Sequence, residues 1–218
     1  MTTKRANPAY DNLLTPDNHA LLLIDHQYLQ LITVKSHDTA LVDNNATAVA
    51  KAARLFEVPT LLTTAFEERQ KILKGIQEVF PEQEPIDRLG LNSWDDDRVR
   101  DWVEKTGKQK LVMCGLWTEV CLSMPVLDAL GDGYEVYIIP DASGGATPES
   151  HEIGVQRMVQ AGARPLSTLA YLAELQRDWA REETAEDVLQ IFVQHGGAFG
   201  SAMVWEWDLL ENMKEGTR

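Results

Sequence analysis

Cysteine is nearly missing: Cys114 and Cys121 are the only two in 218 residues. Two thiols make no disulfide framework, and the scarcity points to a reducing, cytoplasmic compartment. Long hydrophobic runs are missing too. The longest uninterrupted apolar stretch is Ala20 to Ile24, far short of the ~20 residues that cross a bilayer. The opening stretch, MTTKRANPAYDNLLTPDNH, carries cations but no apolar core, so no signal peptide is expected. Cations are few, with 20 Lys and Arg against 34 Asp and Glu, for a formal net charge of -14. A field of that sign repels phosphate and anionic lipid, which argues against nucleic-acid and membrane partners. HExxH and CxxC do not occur, so a metal site has little support. GxGxxG, GxxxxGK[ST] and GxSxG are also missing, which removes the usual dinucleotide and phosphate loops and the serine elbow. No cofactor is expected, and the remaining partner class is a small molecule.

What is present is ordinary globular material, 44% hydrophobic and 25% charged. Ala20–Ile24 reads as a strand buried on both faces and ending at Asp25. Val42, Ala46, Val49, Ala53 and Phe56 recur at helical spacing, one face of a helix over Thr39–Phe56. Further strands are expected at Thr60–Thr64, within Glu84–Ser93, at Lys110–Gly115, at Glu135–Pro140 and at Arg164–Leu169. Helices are expected over Lys71–Phe80, over Asp95–Lys105 with Gly107 closing it, from near Thr118, over Pro148–Gly162 and over Ala170–Ala180. Strands spaced by helices at this rhythm give parallel βαβ units. The expected fold is therefore a three-layer α/β/α sandwich with a central parallel sheet. Residues 1–181 read as one domain and 182–218 as a helical extension. In the extension Val188, Ile191 and Phe192 share a helix face, Gly196 to Gly200 interrupts it, and Trp205 and Trp207 follow. Aromatic surface beyond a finished domain either folds back or meets another subunit, and Trp and Phe are enriched at interfaces.

Functional groups in open parallel sheets gather beyond the carboxyl ends of the strands. The first strand ends at Asp25, and the strand over Lys110–Gly115 leads to Cys121. Thr118 is a plausible N-cap, which would put Cys121 in the first helical turn. Free backbone N–H groups there would lower the thiol pKa and could form an oxyanion hole. The bland reading makes Cys121 a small buried hydrophobe and Asp25 a cap for local backbone. Cys114, inside its strand, reads as core. His26 follows Asp25 on the opposite face and reads as structural.

Several segments, in order, carry a resemblance. They are Leu22-Leu23-Ile24-Asp25-His26-Gln27, Val58-Pro59-Thr60, Asn92-Ser93-Trp94-Asp95, Gly115-Leu116-Trp117-Thr118-Glu119-Val120-Cys121 and Asp141-Ala142-Ser143-Gly144. Gln160-Ala161-Gly162-Ala163 and Arg177-Asp178-Trp179 complete the set. The chain resembles the isochorismatase-like cysteine hydrolases over roughly residues 18–180, and most of all their YcaC-like branch. The resemblance implies a trio of acid, cation and cysteine, which maps to Asp25, Arg88 and Cys121. Arg88 would orient and stabilise charge, because arginine keeps its proton at neutral pH. Lys108 starts a strand and so belongs at the opposite edge of the sheet. The resemblance also implies a cis peptide at Leu116–Trp117 and an oxyanion hole from the amides of Trp117 and Cys121. It further implies substrate contacts from Gln27, Asn92 and Trp94. Metal-using relatives carry a His after the second strand, whereas Thr63–Glu68 has none, so a metal-free site is expected.

The expected activity is hydrolysis of a C–N bond in a small amide or carbamoyl compound through a Cys121 thioester, with Asp25 as general base. A vinyl-ether hydrolase of the isochorismate type, using the acid as proton donor, is an alternative. A catalytically silent oligomeric scaffold is another. Relatives that assemble in rings imply a homo-oligomer, a tetramer or an octamer.

Overall fold

The computed structural model describes residues 12–215, with side chains through residue 211. The leader reading over residues 1–11 lies outside the described residues, as do the last three residues of the extension. Six strands form one parallel sheet: β1 (His19–Ile24), β2 (Thr60–Ala65), β3 (Ile86–Arg88), β4 (Lys110–Gly115), β5 (Glu135–Ile138) and β6 (Arg164–Pro165). Their order is β3-β2-β1-β4-β5-β6. The chain winds outward in both directions from the β1–β4 pair, so the order reverses there. Open sheets present their ligand crevice at such a reversal.

Strands β1 and β4 are buried on both faces because helices cover both. Leu21 and Leu23 of β1 point into one core, with Val112 and Cys114 of β4. Ala20, Leu22 and Ile24 point into the other, with Leu111 and Met113. That is why these strands read as continuous apolar runs. Each fully buried leucine contributes roughly 1.5–3 kcal/mol. The first core is closed by α1 (Tyr28–Thr33), α2 (Thr39–Leu55), α3 (Lys74–Val79), α7 (Thr168–Gln176) and α8 (Glu182–His195). The second is closed by α4 (Asp97–Thr106), α5 (Ser123–Gly131) and α6 (Pro148–Gln160). In α2, the face read from the sequence is the buried one: Val42, Ala46, Val49 and Ala53 are all inaccessible. Asp38 starts α2 by accepting from the Ala40 amide. Gly107 ends α4 at φ 66°, the left-handed conformation glycine adopts without cost.

Four local expectations change by more than two residues. The last strand is only Arg164–Pro165, not Arg164–Leu169. Leu166 N makes the last ladder bond, to Ile138 O at 3.0 Å, and Ser167 then caps α7 by accepting from Ala170 N. Helix α7 stops at Gln176, before Ala180, because Arg177 turns to φ 55°. Helix α3 is shorter than Lys71–Phe80. Helix α1 has no counterpart in the sequence reading, since it is one short turn with only Gln30 and Leu31 buried. The extension is helical, as α8 and then α9 (Ala198–Glu215). Val188, Ile191 and Phe192 of α8 are buried in the first core, whereas Trp205, Trp207, Leu209 and Leu210 of α9 are exposed. Among the described residues no helix is long and apolar enough to cross a membrane.

Candidate active site

Asp25 ends β1 at φ 54°, an uncommon conformation for a residue with a side chain, and is 0% exposed. Its amide is held by Thr63 O at 3.1 Å, and its own carbonyl accepts from Gln27 N at 2.8 Å. This kink turns the carboxylate inward over the end of the sheet. There it accepts three hydrogen bonds. Thr63 Oγ1 donates to Oδ1 at 2.9 Å. Arg88 Nη1 donates to Oδ1 and Nη2 to Oδ2, each at 2.8 Å. Arg88 is 6% exposed and is fixed further by bonds to Thr64 O and Leu91 O. Burial alone would lower the guanidinium pKa, but bonding and charge from Asp25 outweigh it and the net shift is upward. Thus Arg88, the last residue of β3, reaches across β2 to the acid at the end of β1.

Cys121 arrives from β4. Gly115 ends that strand, and a Cβ there would sit 2.7 Å from Ile24 O, so only glycine lets β4 run this close to the end of β1. The peptide Leu116–Trp117 is cis. A π-helical turn, Thr118–Leu122, follows and carries Cys121, which is 3% exposed. Thr118 is not an N-cap: no side chain caps this turn, and Thr118 Oγ1 instead bonds His151 Nδ1 at 2.8 Å. The expected low thiol pKa does not hold either. Burial pushes the thiol up to about 12, the Asp25 carboxylate adds to the rise, and Arg88 and the Trp117 N–H oppose it. The resting group is therefore a protonated thiol beside a carboxylate. A helix terminus cannot offset both desolvation and a neighbouring anion. Cys114 is fully buried, and its thiol is raised further by burial.

The turn is held from outside. Thr118 N donates to Gly144 O at 2.9 Å, and Glu119 Oε1 accepts from Ala146 N at 2.9 Å. Gly154 of α6 packs against it, where a Cβ would meet Glu119 Cα at 3.0 Å. His151 stacks edge-on against His37, with ring centroids 4.6 Å apart, and burial lowers its pKa to about 4. It is neutral at physiological pH and bonds Thr118 in that form.

Of the three residues expected to touch substrate, Gln27 and Trp94 are committed to the framework, while Asn92 is half-buried and also lines the cleft beside Arg88. Gln27 is fully buried; its amide donates to Ala65 O and Gln70 O and accepts from Ala65 N. It joins the β1 and β2 ends. Asn92 accepts from Trp94 N and donates to Asp128. Trp94 is buried and donates from its ring to Asp132 at 2.7 Å. These bonds tie the loop after β3 to α5 and leave no polar group of Gln27 or Trp94 free for a ligand. His26 is buried, with Nε2 on Ala142 O at 2.9 Å, and burial lowers its pKa. Lys108 bonds Asp17 O at the far edge. Among the described residues no group of three or more His, Cys, Asp or Glu is placed to hold a metal ion.

Known proteins match this chain in sequence and in fold. The family model of the isochorismatase domain matches residues 19–169. The chain belongs to the isochorismatase family. Within this isochorismatase family it is 32% identical over 204 residues to the probable hydrolase YcaC of Escherichia coli, covering 92% of this chain and 97% of that one. The solved YcaC of E. coli, described as an octameric hydrolase of unknown specificity, superposes with a TM-score of 0.85 at 31% identity, over 91% of this chain and 98% of the other. YcaC from Pseudomonas aeruginosa, solved with hexane-2,5-diol and covalent acrylamide, gives 0.84 at 32% identity with the same coverage. A secreted isochorismatase effector of Phytophthora sojae is 24% identical over 78% of this chain and 82% of its own length.

Two isochorismatase-domain residues that the sequence reading passed over shape the site. Thr63 follows from the alternation in β2, since it pairs in register with Ile24. His151 lies on α6, and nothing local in the sequence ties it to Thr118.

Proposed function

We propose that this chain hydrolyses a C–N bond in a small amide or carbamoyl compound through a thioester on Cys121. The observation that carries the reading is the thiol of Cys121 beside the Asp25–Arg88 pair at the reversal point of the sheet. In the first half, Sγ attacks the carbonyl carbon while its proton passes to the Asp25 carboxylate. Asp25 then gives that proton to the nitrogen, the C–N bond breaks and ammonia or an amine leaves. In the second half, water attacks the thioester and Asp25 takes a proton from it. The C–S bond breaks, the proton returns to sulfur, and the acid departs. No free thiolate is needed before attack, which suits a thiol held protonated by its acid. Arg88 holds the carboxylate in position and offsets its charge. The Trp117 amide, which faces the sulfur, and the Cys121 amide are assigned to the developing oxyanion. No step uses a metal or cofactor.

The E. coli relative is described as octameric, and we extend this to a closed homo-oligomer here, a tetramer or an octamer. The exposed tryptophans of α9 support the extension as part of its interface. The cytoplasm is the compartment that suits two unpaired cysteines.

The test is a panel of small amides, carbamates and ureido compounds with ammonia detection, run on the full chain, Cys121→Ala and Asp25→Asn. Each variant should lose turnover by at least a thousandfold while keeping its circular dichroism, since nucleophile and base act as a unit. Substantial activity in either variant overturns the mechanism.

A further inference from the structure

The polar inventory around Cys121 has an unusual balance. Of the Arg88 donors, Nη1 is bonded to Asp25 and Thr64 O, and Nη2 to Asp25 and Leu91 O. Nε is buried and unpartnered. Among the described residues the cation beside Cys121 is thus neutralised by its acid, and both of its terminal nitrogens are already bonded. Beside Arg88 lies a cleft of about 400 Å³ whose lining takes in Asp87, Asn92, Asp95, Asp96 and Arg98 but neither Asp25 nor Cys121. Arg98 is itself paired with Asp96, so the cleft is net acidic. The loops beyond the carboxyl ends of β1, β2 and β3 present Ile32, Phe66, Leu89 and Leu91 to the surface, Leu89 at 75% exposure. After β2, Lys71 and Lys74 are exposed and pair with Glu67 and Glu78, and Arg69 lies over the Phe66 ring.

We infer that the site takes an electrically neutral amide with an apolar substituent and discriminates against substrates bearing a carboxylate. This rests on the hydrolase reading above and narrows its substrate class. A carboxylate entering here would leave water without gaining a cation, a costly transfer. The same feature favours turnover, because amide hydrolysis creates a carboxylate for which the bonded Arg88 offers no terminal N–H. It also disfavours vinyl-ether substrates of the isochorismate type, which carry two carboxylates.

Alkylation of Cys121 by iodoacetamide and by iodoacetate separates the two cases. The reagents differ in charge at nearly constant size. Rates at pH 8.5 are measured on the full chain by peptide mapping, with each reagent's rate normalised to its own rate with 2-mercaptoethanol. The neutral reagent should modify Cys121 at least tenfold faster on that scale. Equal rates, a faster anion, or no modification of Cys121 by either reagent overturns the inference. Ammonia release is then compared for hexanamide and 6-amino-6-oxohexanoic acid. Turnover of the first alone supports both readings, and turnover of the second at an equal rate overturns the substrate class. Selective labelling without turnover of any neutral amide would remove the hydrolase reading and leave the charge selection of the site standing.

Discussion

Replacing Arg88 with Met removes the guanidinium but keeps most of the apolar stem. The structure predicts a large cost. Asp25 is 0% exposed and loses both 2.8 Å charge-assisted bonds, keeping only the Thr63 hydroxyl at 2.9 Å. Breaking a buried pair by removing one partner costs about 3–5 kcal/mol, mostly through the uncompensated charge. Removing both charges is far milder, because no ion is left buried. Arg88→Met should therefore lose about 3–5 kcal/mol, and adding Asp25→Asn should restore about 2 kcal/mol or more of it, a coupling expected of residues in direct contact. The assay is urea unfolding of the four proteins at one fixed protomer concentration, because an oligomer's stability depends on it. A loss below about 1 kcal/mol for Arg88→Met, or a double variant no more stable than that single variant, refutes the buried ion pair as the organising contact. Arg88→Lys should rescue stability only in part, since one ammonium cannot donate to both carboxylate oxygens in the same plane.

Asp25→Asn should abolish turnover yet speed Cys121 alkylation several-fold at pH 8. The carboxylate raises the thiol pKa and Arg88 lowers it, so removing the acid moves the thiol downward; slower alkylation in the variant contradicts this. Raising pH should cost stability between about 9 and about 12, because the buried thiol keeps its proton to about 12 while the unfolded chain loses it near the ordinary value. Cys121→Ala should make that limb shallower, with the buried Cys114 thiol accounting for part of what remains, and an unchanged limb refutes the assignment. Gly115→Ala should destabilise by about 1–3 kcal/mol through overpacking against Ile24, read as a lower melting temperature; a neutral substitution would show that β4 has room to move. Truncation after Gly196 should shrink the assembly measured by light scattering, and an unchanged mass would move the interface off α9.

The layers of this fold were legible because its central strands are covered on both sides. Continuous apolar runs at Ala20–Ile24 and Lys110–Gly115 follow from that burial, as does the helix face from Val42 to Ala53. The two strand ends carrying Asp25 and Cys121 could be placed on one edge for the same reason: parallel connectivity fixes which end of each strand is the carboxyl end. Local electrostatics was less legible. Sequence position put Cys121 near a helix start and implied a low pKa. Burial and the distance to Asp25 decide the sign, and neither is encoded locally. The same limit applies to Gln27, Asn92 and Trp94. Their side chains bond Gln70 O, Asp128 and Asp132, partners remote enough in the chain that they appear only once the loops are closed.

Arg88 shows how sheet order turns a remote residue into part of a site. It lies 63 residues from Asp25 in the chain, and the chain visits β1, β2 and β3 in turn. Because the strand order is β3-β2-β1, one strand separates the two residues, a lateral gap of roughly 9–10 Å between β3 and β1. Arg88 pairs in register with Ala65, and Ile24, just before Asp25, pairs with Thr63. The Arg88 side chain must therefore pass over the end of β2. It does so with support, since Nη1 bonds Thr64 O on the way to Asp25 Oδ1. A side chain shorter than arginine, or one with a single charged nitrogen, could not take the β2 carbonyl and both carboxylate oxygens together. The choice of arginine is thus set by the geometry of three adjacent strand ends. The same geometry spends its charge inside the protein, which links the cation's structural duty to the neutral substrate class inferred for the site.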